Sequence, residues 1–141
     1  SYPGLRDWFT KAQRSGRKAW SISNSSNELA AVLIYKFEDD PIVTRDDRAL
    51  RGRTLKICTF KVSELFQGRK LGEHLLGKTF WHAFGNACST VYVTVRKNAQ
   101  PHLVNLFEVF GFELFGEYDV GSGLVDDIYV KRLDPNFEES A

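Results

Sequence analysis

Apolar positions along the chain switch between two periods, and the switches mark out the elements. In "LRDWFTKAQRS", residues 5–15, Leu5, Trp8, Phe9 and Ala12 recur at i, i+3, i+4 and i+7, an amphipathic helix ended by Gly16. "KAWSIS" then alternates, with Ala19, Ser21 and Ser23 on one face and Trp20 and Ile22 on the other. The turn cluster Asn24-Ser25-Ser26-Asn27 and the run "ELAAVLIYKFE" come next, and together these predict a β-hairpin. Residues 39–53 are polar and charged, with Pro41 and Gly52, and predict a long loop. "TLKICTFKVSEL" carries Leu55, Ile57, Thr59 and Lys61 on one face and Lys56, Cys58, Phe60 and Val62 on the other. Apolar residues on both faces suit a central strand covered on both sides.

From Lys70 to about Phe84 the period lengthens again, and Leu71, Leu75, Leu76, Phe80, Ala83 and Phe84 form one helical stripe. "STVYVTV" reads as a short strand. "PHLVNLFEVF" sets Leu103, Leu106, Phe107 and Phe110 on one helical face, with Pro101 at its start and Gly111 at its stop. "FELFGEYDV" and "LVDDIYVKRL" flank Gly121-Ser122-Gly123 as a closing hairpin. The order is helix, three strands, helix, strand, helix, two strands, which predicts a mixed α/β domain.

At 141 residues the chain has the size of one domain, and its 43% hydrophobic content suits a packed core. Net charge is +1, so no global field favours nucleic acid or a membrane surface. The charge is uneven, however: Arg45, Arg48, Arg51, Arg53, Lys56, Lys61, Arg69 and Lys70 crowd the middle, and the last eight residues hold three acids and no base. The arginines at 45–53 are the feature that would serve RNA or DNA contacts, against the plainer reading of a solvated loop. Cys58 and Cys88 lack metal spacing and predict reduced thiols in a cytoplasmic protein. His74, His82 and His102 share no ligand spacing, and no metal is expected. No stretch has the roughly 20 apolar residues of a membrane span, and the N-terminus has no signal-peptide core. The absence of any methionine, the initiator included, suggests a domain taken from a longer chain.

The chemistry concentrates at Gln67-Gly68-Arg69-Lys70-Leu71-Gly72, a basic, glycine-containing turn between a strand and a helix. The first turn of a helix leaves four N–H groups unpaired, and the helix dipole adds about half a positive charge there. Glycine lets the backbone approach an anion closely. A phosphate-binding Walker loop is excluded because no Gly-Lys-Ser/Thr occurs at the required spacing. A dinucleotide-binding fingerprint is poorly matched for want of three correctly spaced glycines.

The turn, its place in the element order, and "LFEVFGFELFG" resemble the GNAT acetyltransferase superfamily, and most closely GNAT domains inside longer bacterial proteins. The family's acyl-CoA loop reads Gln/Arg-x-x-Gly-x-Gly/Ala. Gln67 and Gly72 match its ends, and Lys70 stands where the middle glycine would be. Gly111-Phe112 matches the Leu-Tyr-x-x-x-Gly-Phe signature. The resemblance covers nearly the whole chain and implies a central mixed, mostly antiparallel sheet flanked by helices, with the fourth and fifth strands splayed. It also implies a single domain over residues 1–141 without the usual first strand and helix.

On that resemblance, Phe60, Lys61 and Val62 offer backbone groups to the pantetheine arm, and Gly68 through Gly72 hold the pyrophosphate. Arg69 and Lys70 add charge; for Lys70 an exposed first-turn lysine is the competing reading. A glycine-to-lysine change matters only if that position needs a positive φ. Gln100 stands at the family's asparagine and would keep an amide contact. Phe107 stands at the tyrosine that many relatives use as general acid; it would pack on pantetheine but has no proton to give. No general acid or base is assigned. Glu64, just past the strand, competes with a solvated loop glutamate, and Tyr118 with a packing tyrosine. Asp126 and Asp127 point to opposite faces of one strand, which argues against a carboxylate dyad. The implied activity is direct transfer of acetyl from acetyl-CoA to the primary amine of a small molecule or protein. The alternative is a non-catalytic acyl-CoA-binding or docking module of a larger, nucleic-acid-associated protein.

Overall fold

Five consecutive buried residues, Ala31–Tyr35, mark the centre of β2 (Leu29–Glu38), a strand covered on both faces. The computed structural model describes residues 18–23, 29–62 and 69–133. The helix expected over 5–15, the turn cluster 24–27, Glu64, Gln67 and Gly68 lie outside them. β1 (Lys18–Ser23) pairs antiparallel with β2, Lys18 opposite Tyr35, as the hairpin pattern predicts. The other elements are β3 (Ile42–Val43), β4 (Ala49–Leu50), β5 (Thr54–Val62), α1 (Arg69–Gly85), β6 (Thr90–Arg96), α2 (Pro101–Val109), β7 (Glu113–Gly121) and β8 (Leu124–Arg132). Six strands make one sheet in the order β1-β2-β5-β6-β8-β7, and β3 and β4 make a second of two strands. The mixed α+β architecture expected from the sequence is present.

By contact the chain divides into two compact units, one of residues up to Lys36 with Ile57–His82, the other of Phe37–Lys56 with Ala83 onward. In the first, α1 buries Gly72, Leu75, Leu76 and Thr79 along one stripe. Each fully buried leucine contributes about 1.5–3 kcal/mol relative to an exposed one. Thr79 is the unexpected member: its hydroxyl donates to the Leu75 carbonyl at 2.7 Å, so a polar side chain sits in the core with its hydrogen bond made. Phe84, expected on the stripe, is half exposed, and Trp81 is 79% exposed. Tyr35 meets His82 edge-on at 5.4 Å, and burial raises its hydroxyl pKa.

In the second unit, β8 lies between β6 and β7 and pairs antiparallel with both. The β7–β8 turn is Ser122-Gly123, with φ of 54° and 78°. Positive φ at both central residues is what a type I′ hairpin turn requires. Helix α2 ends in a Schellman motif. The Gly111 N–H donates to Glu108 O and the Phe112 N–H to Phe107 O, both at 3.0 Å, with Gly111 at φ +90°. The Phe107 and Phe112 rings meet at 5.0 Å across it. The Gly-Phe pair is therefore a helix stop joined to a core contact. Helix α1 ends the same way with Ala87, at φ 62°, in the glycine position, its N–H donating to Phe84 O and the Cys88 N–H to Ala83 O.

The long loop expected over 39–53 is corrected by the structure, because it contains the β3–β4 hairpin. Leu50, with Ile42 beside it, packs against Tyr92, Ile128, Val130 and Phe115. The tip then fastens to β7. The Arg45 N–H donates to Glu117 O at 2.8 Å, and the Arg48 guanidinium hydrogen-bonds Phe115 O. Glycine at 116 permits the approach: a Cβ there would lie 2.7 Å from Thr44 Cγ2 and 2.9 Å from Arg48 Nη2. The guanidiniums are matched within the chain. Arg45 pairs with Glu117 and Asp119, Arg48 with Asp46, and Arg53 with Asp39. Arg51 is exposed.

Candidate functional site

β5 buries Thr54, Leu55 and Ile57 at its start and loosens toward its end, where Phe60 and Lys61 are half-buried. Val62 is its last residue. α1 begins seven residues later, with Arg69 and Lys70 as its first two residues. Lys70 is therefore in helical backbone, the conformation in which a lysine N–H serves as well as a glycine's. Leu71 is half-buried and Gly72 buried. The end of β5 and the start of α1 fall within the first unit. No acid stands in the first turn of α1, which instead carries two cations. Cations at a helix N-terminus oppose the dipole, at about 0.3–1 kcal/mol each when exposed. An anion seated on that turn removes the conflict.

Gln100, Phe107 and Tyr118 belong to the second unit. Gln100 is the N-cap of α2 in left-handed backbone, φ 49° and ψ 56°. Its carbonyl accepts from the Leu103 and Val104 N–H groups at 3.0 and 3.2 Å, while its side chain makes no capping hydrogen bond and is exposed. For a residue with Cβ that conformation costs about 1 kcal/mol or more. Pro101 disfavours a right-handed helical residue before it, the one hint of this that the sequence contains. Phe107 is fully buried, as its place on the apolar face of α2 implies. Tyr118, on β7, is 39% exposed.

A charge cluster that the sequence did not reveal lies at the end of β6. Lys97 Nζ is 2.5 Å from Glu117 Oε2 and 3.6 Å from Asp127 Oδ1, and Arg96 pairs with Asp126 at 2.7 Å. Asp126 and Asp127 thus serve opposite faces of β8, as their adjacency predicts. The Lys97 hydrogen bond, and then its charge, holds the Glu117 carboxyl below its ordinary 4.5, and the same bond raises Lys97 above 10.5. Glu117's part of this stability is complete above the unfolded value and is lost as pH falls through the depressed folded value. Lys97's part is complete below 10.5 and is lost as pH rises through its raised value. We expect Glu117→Gln to flatten the acid limb of a urea-midpoint-versus-pH curve below 4.5. An acid limb identical to wild type would contradict that assignment.

Cys58 and Cys88 are free thiols, and burial raises the Cys88 pKa. Among the described residues no His, Cys, Asp and Glu side chains group to hold a metal, and no helix is long and apolar enough to cross a membrane.

Residues 2–112 match the model of the acetyltransferase (GNAT) family. The chain belongs to that family. None of the curated proteins compared matches this acetyltransferase significantly. Solved structures resemble it in fold. A GNAT-family protein from Desulfovibrio desulfuricans aligns with TM-score 0.69 at 13% identity, over 94% of this chain and 83% of that one. Arabidopsis thaliana NAA60 in complex with a bisubstrate analogue aligns with TM-score 0.66 at 16% identity, over 91% and 82%. Nourseothricin acetyltransferase aligns with TM-score 0.62 at 15% identity, over 84% of this chain but 66% of its own length.

Proposed function

We propose that this GNAT acetyltransferase takes its acetyl group from acetyl-CoA and passes it directly to the primary amine of a small molecule or protein. The observation that carries this is the first turn of α1, where Arg69 and Lys70 come after a strand and no acid is present. Arabidopsis NAA60 has been solved with acetyl-CoA, and the NatC complex with CoA and a Gag peptide, so donors of this class suit the fold. Backbone N–H groups from Gly68 to Gly72 would hold the pyrophosphate, with Arg69 and Lys70 adding charge. Phe60, Lys61 and Val62 would line the pantetheine arm with backbone groups. Gln100 would give it an amide contact, while Phe107, fully buried, would support the site from within the core. Acetyl-CoA supplies the activated acyl group as a thioester. The chain's part is to seat that donor, exclude water from its carbonyl and admit an uncharged amine.

Phe107 carries no transferable proton, so the acid of the reaction lies elsewhere. Tyr118 is the titratable side chain we nominate for it, with water as the acceptor of the amine proton. Reduced Cys58 and Cys88 suit a reducing, cytoplasmic compartment. We read residues 1–141 as one acetyltransferase domain.

The test is calorimetric titration with acetyl-CoA, then thiol release across a panel of amines. We expect saturable heat and thiol release with at least one amine. The absence of heat at any donor concentration would sink the proposal. In the same assay Tyr118→Phe should lower turnover roughly 100-fold with donor affinity retained; unchanged turnover would remove Tyr118 from the reaction.

A further inference from the structure

α1 buries one stripe, Leu75, Leu76, Thr79 and Ala83 among it, and turns two large aromatics away from it. On a period of 3.6 residues Trp81 falls opposite that stripe. Its exposure is 79%, and that of Phe84, one turn on, is 49%. Residues three apart are neighbours on a helix surface, so the two rings make one apolar patch of the kind that marks an interaction surface. Notches adjoin the indole: a Cβ placed on Gly77 or on Gly85, one turn to either side, would meet no atom within 4 Å. α1 is one continuous helix through Gly85, which fixes these positions relative to one another. The surroundings are cationic. His74 and Lys78 are exposed, and Glu73, the single acid of α1, is half-buried.

The sequence carries a segment of matching chemistry. Residues 134–141, which lie outside the described residues, hold Asp134, Glu138 and Glu139 around a single aromatic, Phe137, with no base. The chain enters that segment beside the end of α1. The Cys88 N–H donates to Ala83 O at 3.0 Å where the helix closes, and the next residue, Ser89, accepts from the Leu133 N–H at 2.8 Å. Ala83, Phe84, Ser89 and Leu133 belong to one compact unit, so the helix end and the start of the segment are placed together. Phe137 comes four residues after Leu133, a reach of about 14 Å when extended, and Trp81 lies only about 6 Å along the axis from Gly85. A segment leaving there and crossing the helix runs back along α1. Glu138 and Glu139 then come toward Lys78 and His74, away from the negative end of the helix dipole. We propose that residues 134–141 dock on the last two turns of α1, with Phe137 against Trp81 and Phe84 and the two glutamates facing Lys78 and His74. Docking here needs no acetyl-CoA.

The experiment follows Trp81 in the 141-residue protein by acrylamide quenching, its signal taken as the difference between each protein and its Trp81→Phe counterpart. Phe137→Ser should loosen the docked state about fivefold, the loss of one aromatic contact. The readout is a red shift of Trp81 emission and stronger quenching. Glu138→Lys with Glu139→Lys should loosen it as well, and salt at about 1 M should bring the wild type toward that variant. In the Trp81→Phe background Phe137→Ser should leave the remaining emission unchanged. A change there would mean that Phe137 acts through the fold as a whole, and would overturn the docking. Equal quenching of Trp81 in wild type and Phe137→Ser would overturn it directly. So would protection of Trp81 that grows with protein concentration, because the cover would then be a second copy of the chain.

Discussion

Phe107→Ala lowers the unfolding free energy by about 3–5 kcal/mol, the cost of emptying a fully buried aromatic site. Phe107 is 0% exposed. It is also the residue that binds helix geometry to core packing: its carbonyl takes the Phe112 N–H, and its ring meets Phe112 at 5.0 Å and 55°. Truncation removes the hydrophobic half of the Schellman motif and leaves a void beneath Gly111. Collapse is hindered because Phe112 is itself anchored at the start of β7. Guanidinium unfolding should show a lower midpoint at an unchanged slope. A loss below about 1 kcal/mol would mean that the site collapses freely and that this contact is dispensable.

The second large effect runs in opposite directions for stability and binding. Arg69→Glu with Lys70→Glu places acids where the dipole of α1 favours them. The unliganded protein should gain about 1–2 kcal/mol, seen as a rise of a few degrees in Tm. The same change removes two cations from the proposed pyrophosphate seat and adds two anions. Acetyl-CoA affinity should fall more than about tenfold, more steeply at low salt than at high. A stabilised protein that still binds acetyl-CoA normally would move the anion site away from this helix end. A destabilised one would show that the two cations have partners that outweigh the dipole.

Much of this molecule is written in local sequence. The β1–β2 and β7–β8 hairpins arise from alternation and from Ser122-Gly123, whose backbone angles only small or polar residues accept readily. Both described helices begin and end within a few residues of where their periodicity places them. The end of α2 was visible in Gly111-Phe112 for a physical reason: one residue supplies a positive φ and the other the covering ring. Lys70 is helical, so the glycine-to-lysine change at that position imposes no backbone conflict.

The illegible parts depend on register or on distant partners. Strands of two residues, such as Ile42–Val43 and Ala49–Leu50, are too short to display a period. Their stability comes from Leu50 packing on Tyr92 and Ile128, and from Arg45, whose acidic partners lie about seventy residues away. Phe84 looked like core because it is apolar, and Thr79 did not because it is polar. The wall chooses by position, and a threonine that can bond back to its own helix fits. Nothing local marks Lys97, whose partners Glu117 and Asp127 are brought opposite each other only by the pairing of β7 with β8. The left-handed backbone at Gln100 breaks the local preference of its residue type, and such breaks gather at working parts of proteins.

β7 is the last strand of its sheet, and the tip of the β3–β4 hairpin occupies the carbonyls of Phe115 and Glu117 on its outer side. An open rim with Leu114, Tyr118 and Val120 exposed beside it is the kind of surface on which chains aggregate. Here the chain spends its own arginine-rich tip on closing that rim, and the closure hangs on the absence of a side chain at residue 116. A methyl group there would do little to β7 itself. It would lever the tip away, and the damage would appear as poor solubility at high concentration rather than as a weaker fold.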